Sequence, residues 1–597
     1  MKILLLAIPF DNGKSGISVY IREVIRALRD AGHSLTVVVE DDAAKEFRDL
    51  ELIHIKKRRP LFSMLYTLYI LPWQIRWNAY DFCIVLAANR RLFCRYPIYT
   101  IGVVHDLSQY HIPVKYDRFR MFYIRRVLPH YARKAQSICA ISKSTRNDLV
   151  KYWHIPEKKI TAVYNGFTPF PMPTGSKKKK KQILYVSRIE HPGKNHLNLL
   201  KAFELLPDKL RQEYVLVMAG AAWNGAETVY EYAKNSQCRK QFQFTGFVRS
   251  EDLPELYVQS ALYVFPSLFE GFGLSLLEAM YANLPCVCSR TSSLGELGQG
   301  AAELFDPTSP QDIANAMEKI LSNPELQQQL CRAGQLKVAN FSWQNTARQL
   351  VAMYEDRTAN LLGVSFFIGT MQEALQKLDR LVQSREQHHV AFVNAHCLNV
   401  AYENTAYRTA LRKCSVIFAD GIGVKIGAKL QGFSVEDNVN GTDMFPLLLQ
   451  KSYRIYLLGG EPEVAQAALE KARHNTSKAE LVGCSDGFFQ IRSEREVLKE
   501  ITTLKPDILL VGMGVPLQEM WIREHSPELP ACVIIGVGGL LDFVSERIPR
   551  APMWMRKLGL EWCFRLYQEP RRLFKRYVIG NPLFLWRVFR NKKGGLE

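Results

Sequence analysis

Two stretches of this chain place polar residues where chemistry is done. The first is Ser267-Leu-Phe-Glu-Gly-Phe-Gly-Leu-Ser-Leu-Leu-Glu-Ala-Met280. Glu270 stands just before Gly271 and Gly273, and Glu278 stands about one turn inside the apolar-spaced run Leu274, Leu277, Ala279, Met280. A helix that begins at paired glycines offers free N–H groups and the positive end of its dipole, which suit a diphosphate. Two carboxylates beside such an anion site can grip hydroxyls, one on a sugar and one on a ribose. The second stretch is Val416-Ile-Phe-Ala-Asp-Gly-Ile-Gly423. Here Asp420 closes an apolar run and precedes a glycine and a helix. That place suits a general base for a sugar hydroxyl, although an Asp there is more commonly a helix N-cap.

The elements that must hold these residues read as alternating strands and helices. Residues 261–265 form a buried strand closed by Pro266. At the N-terminus, a strand over residues 2–8, the glycine-bearing loop Asp11-Asn-Gly-Lys-Ser-Gly16, a helix over 17–29 and a strand over 33–39 make a β-α-β opening, so a parallel sheet is expected. Gly13 and Gly16 in that loop can approach a ligand. A strand over 98–104 ends in His105-Asp106, at the strand end where parallel sheets bind ligands; a purely structural histidine is the other reading. Residues 169–181 form a linker ending in five lysines, read as a solvated tether. A second strand–helix series starts at Gln182. Its Arg188 and Lys194 are natural cations for a diphosphate. A helix from Trp343 to about Ala359 closes this half.

The first stretch resembles the Glu-x7-Glu motif of retaining glycosyltransferase family 4, and the likeness spans residues 1 to about 360. It implies a GT-B fold, a pair of Rossmann-like domains. It implies that Glu270 meets the donor sugar, that Glu278 meets the nucleotide ribose, and that the amides of Phe272 and Gly273 face the donor. It gives the Gly13 and Gly16 loop and the pair Arg188 and Lys194 to the nucleotide sugar, and His105 to the donor sugar or acceptor.

In the second half the polar groups again fall at strand ends or in turns: Asn394 in Phe392-Val-Asn-Ala-His396, which follows a strand, Asp420, Thr442 in Asn440-Gly-Thr-Asp443, and Gln518 after a strand over 507–514. Together they resemble the TagA/WecG/CpsF group, glycosyltransferase family 26, over about residues 361–580. This likeness implies an inverting transferase in which Asp420 is the base and Asn394, Thr442 and Gln518 line the site. Its acceptor would be a polyprenyl-diphosphate-linked saccharide. One departure is Phe392, which stands where many members carry Thr.

Composition agrees with a large globular chain. At 597 residues three or four domains are expected. No run of about 18 uncharged apolar residues occurs, so no spanning helix is expected. The longest apolar run, residues 61–73, suits a buried or an interfacial helix. Twelve cysteines without a Cys-x-x-Cys pair suit a reduced, cytosolic chain without structural metal. The net charge of +20 calls for an anionic partner. Five arginines over residues 118–133 make a basic amphipathic helix, membrane-facing or simply solvated. The tail from Arg547 to Lys593 has thirteen Lys and Arg against two acids, with aromatics between them. Such a mixture suits a membrane interface, or single-stranded nucleic acid, for which no fold motif is present. The family 26 likeness gives Arg547, Arg550, Arg565, Arg571 and Arg572 to the lipid diphosphate.

The reading is an α/β chain in four parts: residues 1–173 and 174–360 as the GT-B pair, 361–545 as the TagA-like domain, and 546–597 as a basic helical appendage. It predicts a bifunctional glycosyltransferase that extends a lipid-linked saccharide for capsule or exopolysaccharide at the inner face of the cell membrane. UDP- or GDP-linked sugars serve as donors. No Asp-x-Asp is present, so neither a metal nor a cofactor is expected.

Overall fold

A computed structural model describes residues 1–13, 15–112, 118–173 and 179–591. Part of the lysine linker (174–178), Lys14 of the first loop and the last tail lysines lie outside them. The chain forms two compact units, Met1–Tyr354 and Glu355–Glu597.

The first unit holds two parallel sheets. One has seven strands in the order Glu51–Ile55, Ser34–Glu40, Lys2–Leu6, Phe82–Val85, Thr100–Val104, Ser137–Ala140, Ile160–Ala162. The other has six: Phe242–Gly246, Val215–Ala219, Gln182–Val186, Leu262–Phe265, Cys286–Ser289, Glu303–Phe305. Most central strands are buried on both faces, which is why they read as unbroken apolar runs such as Phe82-Cys-Ile-Val85. In each sheet the winding direction reverses beside the first strand. Ligands bind in the crevice outside such a reversal, at the carboxyl ends of the strands. The loops that emerge there include residues 7–13 after the first strand, 187–195 after Gln182–Val186, and 266–273 after Leu262–Phe265. This is the GT-B arrangement, with Gly13, Arg188, Lys194, Glu270, Gly271, Phe272 and Gly273 on those loops, His105 just after Thr100–Val104, and Gly16 and Glu278 in the Gly16–Asp30 and Leu274–Tyr281 helices.

One contact ties the halves of this unit together. Glu296, on the Ser292–Gly298 helix, accepts hydrogen bonds from the backbone N–H of Lys143 (3.0 Å) and Ser144 (2.5 Å), at the start of the Lys143–Trp153 helix, and from the Tyr164 hydroxyl (3.0 Å). A carboxylate at a helix N-terminus satisfies otherwise orphaned donors. Glu296→Ala is expected to lower the stability of the first unit by ~2 kcal/mol, read as a lower denaturant midpoint.

The second unit is built on one eight-stranded sheet, in the order Thr358–Leu361, Val364–Phe367, Val416–Ala419, His388–Val393, Val533–Gly536, Ile508–Gly512, Arg454–Gly459, Glu480–Ser485. Only the first pair is antiparallel. The sheet reverses around His388–Val393, so the loops after residues 393, 419, 512 and 536 converge.

Two elements differ from the sequence expectation. The helix from Trp343 ends at Glu355 rather than about Ala359, and Ala359 lies in a strand. The chain turns back there through Leu362 and Gly363, both at positive φ, as a two-residue hairpin loop requires. Just before it, Arg357 is buried with its guanidinium on Glu373 (2.6 Å) and Glu436 (2.8 Å), which holds this entry strand against the rest of its unit. The apolar run 61–73 is helical, in consecutive turns Pro60–Leu65, Tyr66–Ile70 and Leu71–Gln74, but only one of its faces is covered.

Candidate active sites

In the first unit the glycine loop is held against the opposite sheet by close approach. A Cβ on Gly271 would lie 2.3 Å from the His105 carbonyl oxygen, so only glycine fits. Gly273 has φ +116° and caps the Leu274–Tyr281 helix, and the same test there meets Leu294 at 2.7 Å. Ser293 fastens the loop from behind, its hydroxyl donating to the carbonyls of Glu270 (2.9 Å) and Phe272 (2.7 Å). The Phe272 ring is buried near Tyr164 and Phe341, so only its backbone is available to a ligand.

The charged groups gather on this loop. Lys194 donates its Nζ hydrogen to Glu270 Oε1 at 2.6 Å, with both side chains mostly buried. Arg188 lies nearby in sequence but points elsewhere: its guanidinium lies 4.9 Å from the centre of the Trp223 ring and 3.4 Å from Glu190. Glu278 accepts from the Tyr257 hydroxyl at 2.7 Å, which occupies one of its oxygens. Burial raises the Glu278 carboxyl pKa above its usual range, and the Tyr257 bond partly offsets this. His105 is buried; its Nε2 meets the Leu86 carbonyl at 2.8 Å, and burial lowers its pKa to about 4. It is therefore neutral near pH 7, with Nδ1 as the nitrogen left over. Gly13 has φ +82°, while Gly16 opens the Gly16–Asp30 helix with free space where a side chain would stand.

Since Gly271 has no room for a methyl group, Gly271→Ala is expected to push the loop off His105. The overpacking costs ~1–3 kcal/mol, and donor kcat/KM falls about tenfold or more. Donor-dependent kinetics together with a melting curve check both.

In the second unit a cleft of about 290 Å³ opens at the converging loops. Asn394 caps the Ala395–Glu403 helix, its Oδ1 accepting from the N–H of His396 and Cys397 at 3.1 Å. That leaves its amide nitrogen toward Asp420. Asp420 follows its strand directly, its N–H bonded to the Val393 carbonyl (2.9 Å). Gly421, at φ +88°, turns the chain away so that the carboxylate faces the cleft. Desolvation raises the Asp420 pKa to about 6, and nearby Glu561 adds to the shift; Asn394, Arg576 and Arg565 act against it. A carboxylate with this pKa is mostly ionised at neutral pH and is a stronger base than a solvent-exposed aspartate.

Facing Asp420 across the cleft are Arg550, Arg556, Arg565 and Arg576. Arg550 and Arg556 both reach Asp443 Oδ1, at 2.8 and 3.3 Å. Asp443 is fixed in turn by Asn440, which donates to its other oxygen at 2.7 Å. In each of the four arginines the Nε atom is buried without a hydrogen-bond partner among the described residues. The four guanidiniums and a raised-pKa carboxylate make one cleft able to hold a diphosphate and deprotonate a hydroxyl beside it.

Thr442 lines the cleft. Gln518 lines it too but is engaged by the protein: its Oε1 accepts from the Gly538 N–H (2.9 Å) and its amide donates to Glu519 (2.8 Å), so it holds the Gly538 loop in place. Phe392 is buried at the edge of the cleft. Among the tail arginines picked from sequence, Arg550 and Arg565 line the cleft, whereas Arg547 pairs with Glu461 (2.7 Å), Arg572 with Glu569 (2.7 Å), and Arg571 is exposed. Arg556, Arg576 and Glu561 line the cleft and were not singled out by sequence reading.

Comparison with known proteins fits this division. The model described as "Glycosyl transferase WecG/TagA/CpsF family" matches residues 359–596. "Glycosyl transferases group 1" matches residues 169–337, and "Glycosyltransferase Family 4" matches residues 14–169. An N-acetylglucosaminyldiphosphoundecaprenol N-acetyl-beta-D-mannosaminyltransferase of Bacillus subtilis (strain 168) is 32% identical over 208 residues, 34% of this chain and 80% of that protein. O-antigen chain mannosyltransferase B of Escherichia coli is 25% identical over 381 residues, 60% of this chain and 100% of that protein. The solved Anabaena Alr3699/HepE structure with UDP and glucose is 16% identical, with a TM-score of 0.46 over 59% of this chain and 99% of that one.

Proposed function

The chain belongs to the WecG/TagA/CpsF glycosyl transferase family through its second unit, and it joins to that unit a glycosyltransferase of the group 1 and family 4 type; on this footing we propose that it is bifunctional. Each unit transfers one sugar from a nucleotide-sugar donor, UDP- or GDP-linked, to a polyprenyl-diphosphate-linked saccharide. The product is a precursor of a cell-surface polysaccharide of the capsule or exopolysaccharide kind. The observation that carries the reading is the second cleft, where Asp420 with its raised pKa stands among four cleft-facing arginines. This supports an enzyme there rather than a passive lipid-docking module, because holding a diphosphate needs no base.

In the second unit, Asp420 takes the proton of the acceptor hydroxyl as the oxygen attacks the anomeric carbon. The bond to the nucleoside diphosphate breaks from the opposite face, so the configuration inverts. The arginines hold diphosphate charge within the cleft, the lipid's included. In the first unit, Lys194 and the amides at Phe272 and Gly273 take up the charge of the leaving diphosphate, and Glu270 orients the sugar. In this reading cationic side chains and amides, not a metal or cofactor, stabilise both leaving groups. The aromatic, basic tail keeps the second unit at the inner face of the cell membrane.

Acceptor-dependent release of nucleotide from each donor tests this on the full chain. Asp420→Asn is expected to stop release from one donor only, and Lys194→Ala from the other. Retention of both releases in Asp420→Asn would leave the second unit as a docking module.

A further inference from the structure

The first unit has an apolar surface that its own fold does not cover. Segment 60–74 buries Thr67, Leu68, Leu71 and Pro72 against its unit. Its other face is also apolar and stands in solvent: Phe62 (60% exposed), Leu65, Tyr69, Ile70 and Trp73 (70%). A helix apolar on both faces needs a second partner. Segment 118–132 lies alongside. Tyr131 donates to the Tyr69 hydroxyl at 3.2 Å with the rings edge to face, and Phe122 is 60% exposed.

The two segments, taken with their flanking residues, are basic. Residues 52–80, 82–105 and 118–147 contain no Asp or Glu. Arg58 lies over the Tyr66 ring at 3.7 Å and Arg95 over the Trp73 ring at 4.1 Å, while Arg125 and Arg126 are exposed on the neighbouring segment. Of the neighbouring carboxylates, Glu40 accepts from the Ser63 hydroxyl, Asp42 from Lys57 and Asp81 from the Lys2 backbone N–H.

We infer that this face of the first unit docks on an anionic phospholipid bilayer, with Phe62, Ile70, Trp73 and Phe122 inserted among the headgroups and Arg58, Arg95, Arg125 and Arg126 on the lipid phosphates. Trp and Tyr beside Arg, on an apolar ridge, match the interface of a membrane. A second copy of the chain would bring the arginines of the two segments and their flanks together, which like-charge repulsion disfavours. The inference goes beyond the tail of the second unit: it gives the first unit a membrane contact of its own.

The test uses the full chain and vesicles of phosphatidylglycerol and phosphatidylcholine, with phosphatidylcholine alone as control. Brominated lipids are expected to quench part of the tryptophan fluorescence, and Trp73→Phe is expected to remove a component of that quenching while binding persists. Phe62→Ser/Ile70→Ser/Trp73→Ser is expected to weaken partitioning about tenfold or more at unchanged melting temperature. Unchanged quenching in Trp73→Phe would overturn the inference and leave the tail as the sole contact. Concentration-dependent self-association that the triple variant abolishes, without vesicle binding, would assign the face to a second copy instead.

Discussion

Asp420→Asn is expected to lower transfer by the second unit by about 10²–10⁴-fold, the range a positioned general base supplies. The amide keeps the size and can keep the contact to Asn394, but it cannot accept the proton of the acceptor hydroxyl. The wild-type pH profile carries the same information. With a pKa raised to about 6, Asp420 is an active base above that value, so kcat/KM falls as pH drops through about 6. Stability runs the other way. A carboxyl whose folded pKa lies above its unfolded value favours the fold most at low pH, and that contribution is lost as pH rises through about 6. Asp420→Asn removes the buried charge, so at pH 8 the second unit is expected to melt no lower than wild type and to lose its pH-dependent gain below 6. A dead variant that also melts early would mean that Asp420 is structural; its helix is capped by Gly421, without a side-chain bond.

The second large effect is expected at Lys194. Removing one preorganised group that stabilises developing charge costs about 10²–10³ in kcat. Lys194→Ala does this in the first unit and also strips Glu270 of its partner at 2.6 Å. Because Glu270 is mostly buried, the lone carboxylate costs stability as well as rate. A double-mutant cycle with Glu270→Gln separates the two. If the pair acts as a unit, the two losses of kcat/KM fall well short of adding. Full additivity would mean that the ion pair is incidental to the reaction.

The candidate positions legible in the sequence are those placed by strand ends. Asp420 and Asn394 directly follow their strands, and Glu270 and Lys194 lie in the loops after Leu262–Phe265 and Gln182–Val186, so an apolar run followed by glycine or a polar turn singled them out. Within each unit the sheet order then explains why its own residues converge. What stayed hidden depends on contacts between distant segments. Glu296 bonds to Lys143 across 153 positions, and nothing in the local sequence around either residue announces it. Arg556 and Arg576 reach the cleft because the tail's short helices, such as Met553–Lys557, fold back over it. Charge and aromatic content identified the tail but not which arginines turn inward. Arg547 and Arg572 are held outside by Glu461 and Glu569, pairings that composition does not reveal. The Leu362–Gly363 hairpin escaped notice because leucine seldom takes positive φ, so the turn lacked its usual Asn-Gly or Asp-Gly mark. The exposed face of segment 60–74 escaped for another reason: an apolar run shows that a helix wants burial, not whether its own fold supplies all of it.

Mass spectrometry of a polyprenyl-diphosphate-linked sugar, incubated with the full chain and pooled UDP- and GDP-sugars, tests the central claim most directly. The bifunctional account predicts two added sugars with wild type, and a different single step blocked in Lys194→Ala and in Asp420→Asn. One added sugar with wild type, unaffected by Asp420→Asn, would contradict it.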